Sequence, residues 1–231
     1  MALPAHLLAQ LPAAVVRGSE VGGALALPLG LPVLDTALPD GGLARGAVTE
    51  LAVAGGAALA TRFALSACRA AQDEGRLRGG DTPWCAFVDP SATLYAPGVA
   101  GLGVALDRLL IVRPPLDALG RVAARVVESQ AFAIVVIDTL GAPGVGGLGV
   151  QLGRWPRIVR RLAMAVQGTP GAVLLITDSA ARRPLPLPVA QRLELARPHS
   201  GQLMLRVAKD RHGRIASARR IDLEPPLEKA S

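Results

Sequence analysis

Between residues 47 and 176 the sequence alternates short, wholly apolar runs with longer segments of helical period, and that rhythm leaves few folds open. Residues 47–53, 84–88, 109–112, 132–137 and 173–176 read as strands. Residues 59–72, 116–127 and 155–166 read as helices. A strand that is apolar at every position must be covered on both faces, so the pattern predicts a mostly parallel sheet flanked by helices. Within the middle helix, Leu116, Leu119, Val122 and Val126 recur at helical spacing and are expected to face the core. After Pro184 the pattern changes to alternation, over residues 193–196, 202–207 and 217–223. A turn at Gly213 joins the last two, which predicts a small antiparallel meander at the end of the domain. The fold class is therefore α/β. One core domain spans residues 23–223, preceded by an N-terminal helix and linker over 1–22 and followed by a loose tail over 224–231. Asp40-Gly41-Gly42 marks a tight turn before the first strand.

The core must be aliphatic, because 51% of the chain is hydrophobic but only 3% is aromatic. The formal net charge is +7, carried almost wholly by arginine, since Lys209 and Lys229 are the only lysines. Such a balance suits an acidic partner such as nucleic acid, and equally an arginine-rich composition with no such partner. Cys68 and Cys85 lie in apolar surroundings and read as buried structural thiols. His6, His199 and His212 stand apart from each other and from the cysteines, so no metal site is expected. The first sixteen residues are apolar, but Pro4 and Pro12 interrupt them and no basic stretch precedes them. They read as a short amphipathic helix, and the chain is expected to be soluble and cytoplasmic.

Three of the strands run into a carboxylate: Asp89, Asp138 and Asp178. The C-terminal edge of a parallel sheet is where ligands bind. Asp89 and Asp178 read as ordinary turn residues, whereas Asp138 closes the continuous apolar run of residues 133–137 in the manner of a Walker B strand. The first strand–loop–helix unit is where a nucleotide-binding fold carries G-x-x-x-x-G-K-[ST]. Backbone N–H groups of that loop cradle phosphates, its lysine neutralises them, and its hydroxyl holds Mg²⁺. Here residues 50–61 read ELAVAGGAALAT, with Gly55 and Gly56 but with no lysine before Lys209. Arg62 lies inside the helix, beyond the phosphate-facing position. Leu59 beside a triphosphate would leave its charge uncompensated, so the loop is expected to bind ATP poorly and the two glycines only to turn the chain.

In order along the chain these segments resemble the RecA recombinase core. Residues 31–50 (LPVLDTALPDGGLARGAVTE) are similar to the stretch leading into the RecA phosphate loop. Residues 86–89 resemble its second core strand, 134–138 Walker B, 174–178 the strand after it, and 207–211 (VAKDR) the basic strand near the end of the core. The same resemblance places Leu59 at the Walker lysine, Ala60 at the Mg²⁺ hydroxyl, Ser91 at the catalytic glutamate and Ser179 at the polar sensor. The two regions similar to DNA-binding loops, 141–153 and 180–189, are short.

A RecA core with these departures resembles the ImuA family, RecA-like accessory proteins of the bacterial error-prone mutasome. That resemblance implies a damage-inducible protein without ATPase activity or cofactor. Its implied partners are RecA, an ImuB-like polymerase-related protein and an error-prone replicative-type polymerase. It also implies roles for particular residues. Leu7, Leu8 and Leu11 of the N-terminal helix could supply a docking face, and Lys209 and Arg211 could reach a neighbour's nucleotide. Independently of the resemblance, Arg154, Arg157, Arg160 and Arg161, with Arg182 and Arg183, form clusters that could track phosphates in weak, sequence-independent DNA binding. A SulA-like division inhibitor, a weak DNA-binding module and a residual DNA-dependent ATPase are the alternatives left open by the sequence.

Overall fold

The structure, a computed structural model, describes residues 26–54, 57–141, 150–180, 186–197 and 202–221. The N-terminal helix and the tail expected from the sequence lie outside these residues. In chain order the elements are β1 (Ala26–Leu27), α1 (Pro32–Asp35), β2 (Leu43–Ala44), β3 (Val48–Ala54), α2 (Ala57–Leu77), β4 (Cys85–Val88), α3 (Ala96–Gly101) and β5 (Leu109–Val112). There follow α4 (Leu119–Glu128), β6 (Ile134–Asp138), α5 (Trp155–Val166), β7 (Ala172–Asp178), β8 (Gln191–Ala196), β9 (Leu203–Asp210) and β10 (Ala216–Ile221).

Eight strands form one sheet in the order β10-β9-β8-β3-β7-β6-β4-β5, while β1 and β2 pair in a separate two-stranded ribbon. The six strands from β8 to β5 are parallel. The continuous apolar runs arise because both faces of this sheet are covered. Leu51, Phe87, Val136 and Leu174 point into one core with α2, β1 and β2. Val48, Val88, Val135 and Leu175 point into the other with α4 and α5. The fold class read from the sequence is the one observed. Cys68 and Cys85 are buried and free, with Cys85 Sγ 3.5 Å from the Cys68 carbonyl oxygen.

The expected antiparallel meander is present: β8–β9 and β9–β10 are antiparallel, and β8 joins the meander to the main sheet by pairing parallel to β3. The alternating pattern of residues 193–196 reports one covered face, with Leu193 and Leu195 in the core beside Leu51 and Val53, and not the strand's direction. One expectation needs correction: the helix read over residues 116–127 is α4, which starts at Leu119. The four residues before it form a turn, closed by Ala118 N–H donating to the Pro115 carbonyl, and Leu116 is 48% exposed. The buried stripe is Leu119, Ala123 and Val127, while Val122 and Val126 are only half-buried. Both stripes are apolar, and the point at which the helix begins decides which one meets the sheet.

Candidate functional site at the sheet edges

The C-terminal edge of the parallel strands gathers the residues that a phosphate-binding site of this fold would use. β3 ends at Ala54 and α2 begins at Ala57; Gly55 and Gly56 lie outside the described residues. Leu59, in the first turns of α2, packs against the core beside Leu31, Leu34, Phe63, Leu195 and Leu203, leaving about 10 Å³ of space among them. That is at the lower limit for one water molecule. Ala60 is 1% exposed and belongs to the same core. Arg62, within α2, borders the same apolar group. A Leu59→Lys substitution would set an ammonium group against five apolar side chains. We expect it to lower stability by about 1–3 kcal/mol, read as a lower urea midpoint, because the charge must be drawn toward solvent or left without a partner.

Asp138 ends β6 with 4% exposure, and its Oδ1 accepts the Leu140 N–H at 2.8 Å. Burial pushes its carboxyl up to about 6; N–H groups of Leu140 and Gly141 act in the opposite direction, and the Asp89 charge adds to the rise. Asp89, at the end of the neighbouring β4, is fully buried. It accepts Thr93 N–H at 3.0 Å, Thr93 Oγ1 at 3.1 Å and Leu94 N–H at 3.1 Å, and Arg113 Nε stands 3.7 Å away. Asp89 therefore organises the loop after β4, a turn role as read from the sequence. Asp178 likewise caps a turn, through Ala180 N–H at 2.8 Å. Ser91 follows in the same loop as Asp89, and its hydroxyl is buried without a hydrogen-bond partner. No group of three or more His, Cys, Asp or Glu side chains that could hold a metal occurs among the described residues.

The basic strand lies at the other edge. Lys209 pairs with Arg192 in register and Asp210 with Gln191, the first residue of β8, so the end of β9 sits where the parallel strands begin. Lys209 and Arg211 are exposed, and Arg211 Nε donates to His212 Nε2 at 3.0 Å. Within one chain these residues and Asp138 cannot share a site. Between them, Asp210 anchors a clamp that the sequence did not reveal. Arg214 donates from Nε to Asp210 at 2.9 Å, and from Nη1 and Nη2 to the two Asp40 oxygens at 2.6 and 2.7 Å. The Arg214 hydrogen bonds hold the Asp40 carboxyl below its ordinary range. The clamp ties the β9–β10 turn to the Pro39–Gly41 turn across 174 residues of chain, a separation over which no local pattern carries a signal.

A second unforeseen group sits inside the sheet. Glu50 of β3 is fully buried; Thr177 Oγ1 donates to its Oε1 at 2.7 Å, and Arg192 Nη1 stands 3.6 Å from its Oε2. The sequence signal was a lone carboxylate inside an apolar strand. Arg154, Arg157, Arg160 and Arg161 are all exposed on and before α5. Of these, Arg161 forms a two-pronged ion pair with Glu128, through Nε at 2.5 Å and Nη2 at 3.0 Å. Leu7, Leu8, Leu11, Arg182 and Arg183 lie outside the described residues.

This architecture, a parallel sheet between two helical layers with an antiparallel extension, is the RecA-like α/β fold. The chain is similar to the protein RecA of Cutibacterium acnes, with 34% identity over 116 residues that make up 50% of this chain and 31% of the relative. RecA from the strain DSM 16379 / KPA171202 matches to the same extent. The match thus spans less than a third of the length of these relatives. No family model matches the chain. No helix among the described residues is long and apolar enough to cross a membrane.

Proposed function

We propose that this chain is a non-catalytic RecA-like protein that binds RecA, modulates or inhibits its filament, and bridges it to an error-prone polymerase complex containing an ImuB-like protein. The observation that carries the reading is Leu59. Where the resemblance places the phosphate-loop lysine, the side chain is packed among leucines, and no lysine occurs earlier than Lys209. Ala60 in the core and Ser91 with its buried hydroxyl support the same reading, since neither a Mg²⁺ hydroxyl nor a carboxylate base stands at those positions. The opposite placement of Lys209 and Arg211 also supports it. A RecA filament repeats one head-to-tail interface. A homologue that presents a basic strand at one edge and no working phosphate loop at the other could join a filament end and stop its growth.

The test is the DNA-dependent ATPase of the organism's own RecA with this protein titrated in, beside a blank lacking RecA. We expect inhibition at low stoichiometry and a silent blank, with inhibition weakened in the Lys209→Glu/Arg211→Glu variant. No effect on RecA would favour a polymerase scaffold or a SulA-like division inhibitor, and turnover in the blank would overturn the non-catalytic reading.

A further inference from the structure

The face formed by α4 and α5 concentrates charge that the fold itself does not use. The two helices lie side by side and run parallel, since Gly120 meets Ile158 in one half and Glu128 meets Arg161 in the other. Arg121 and Arg125 on α4, and Arg154, Arg157 and Arg160 on or before α5, are exposed and make no ion pair among the described residues. Helix α5 carries no acidic residue, and the one carboxylate of α4, Glu128, is taken by Arg161. Arg121, Arg154 and Arg157 moreover sit at or near helix N-termini, where the positive end of the helix dipole disfavours a cation. The helix dipole therefore gives no reason for these three arginines, whereas Arg125 lies in the last turn of α4 near Glu128.

The same face is not purely ionic. Met164, one turn beyond Arg160, is 76% exposed, and Leu116 at the other end of the groove is 48% exposed. Met164 and Ala165 share a shallow depression of about 460 Å³ with Glu128, Arg157, Arg160 and Arg161. A second depression, of about 350 Å³, holds Leu116, Gly120, Ile158, Arg121 and Arg154, with one carboxylate, Asp117, beside the two arginines. Arg154, Arg157, Arg161 and Met164 follow one another at three- and four-residue spacing, so cations and an apolar terminus share one stripe. A phosphate backbone would use the arginines but not Met164. The aromatic side chain on this side, Trp155, is 5% exposed and offers no stacking surface.

We propose that the groove between α4 and α5 docks an acidic amphipathic helix of a partner protein, whose carboxylates meet the unpaired arginines and whose apolar residues cover Met164 and Leu116. The inference goes beyond the function proposed above and holds whether or not the chain acts on RecA.

The assay is fluorescence anisotropy with the full chain at low ionic strength. The probes are a labelled helical peptide of about five turns with glutamates flanking a leucine stripe, a scrambled peptide of the same composition, and labelled single- and double-stranded DNA. The amphipathic peptide should bind more tightly than the scrambled one. Arg157→Glu/Arg160→Glu should weaken it by about tenfold or more. Met164→Gln should weaken it by about threefold, while leaving any DNA binding unchanged. These side chains are exposed, and an unchanged circular dichroism spectrum will establish that each variant is folded. Equal binding of the two peptides would overturn the proposal. So would DNA bound at least as tightly with the same arginine dependence, which would make the face a nucleic-acid surface. Failure of every probe to bind would show a merely solvated face and would also overturn it.

Discussion

Replacing Gly42 with alanine is expected to lower the stability of this protein by about 3 kcal/mol, read as a fall in the urea midpoint at constant slope. A Cβ at this position would stand 2.2 Å from the Leu27 carbonyl oxygen, 2.6 Å from its carbon and 2.9 Å from Pro28 Cα. All three are backbone atoms, so no side chain can rotate away. Relief requires the β1–β2 ribbon to open, and Leu27, Leu29 and Leu43 around it are each fully buried. The neighbouring Gly41→Ala provides the control. Gly41 has φ of 76°, which alanine disfavours, but its Cβ would meet nothing within 4 Å. Its cost should be about 1–2 kcal/mol, smaller than that at Gly42. Equal midpoints for the two variants would refute the steric account of the Gly-Gly pair.

Asp138→Asn should stabilise the protein at neutral pH, by about 3 kcal/mol. The carboxyl titrates near 3.8 in the unfolded chain and, because of burial, at about 6 in the folded one. Below the lower value it is protonated in both states and the substitution changes little. Between the two values the folded state retains a proton that the unfolded state has lost. Above about 6 the carboxyl is ionised in both states, and the folded one bears the full cost of a desolvated charge. The natural protein should therefore lose stability as pH rises from about 4 to about 6, and the asparagine variant should not. Its amide oxygen can still accept the Leu140 N–H. Urea midpoints of both proteins at acid, intermediate and mildly alkaline pH check this. Parallel midpoints across that range would mean that Asp138 carries no buried charge.

Most of the sheet was legible because burial on both faces leaves a mark in every window of four to seven residues. The strand at residues 109–112 and the helix at 155–166 were read with their observed limits, and the other central elements within a few residues. The antiparallel pairing of β8 with β9 was legible, but the parallel pairing of β8 with β3 was not, because alternation reports how many faces are covered and not which strand lies on the other side. Leu116 was misplaced for a related reason, since two apolar stripes overlap in its helix and only the turn after Pro115 selects between them. At the candidate site, the absence of a lysine before Lys209 could be read directly. What fills the lysine's place could not, because Leu31, Leu34, Leu195 and Leu203 reach Leu59 from three distant parts of the chain.

By itself, then, the sequence determined the layered α/β plan, the aliphatic core and the lack of any lysine before Lys209, since each follows from local period or from residue identity. The tertiary structure alone decided that Lys209 and Arg211 face away from Asp138, that Arg214 clamps Asp40 to Asp210, and that five arginines with no ion pair among the described residues share one face with Met164. These depend on strand order and helix pairing, and contacts that close loops of up to 174 residues are set by the packing of the whole core and leave no periodic trace along the chain.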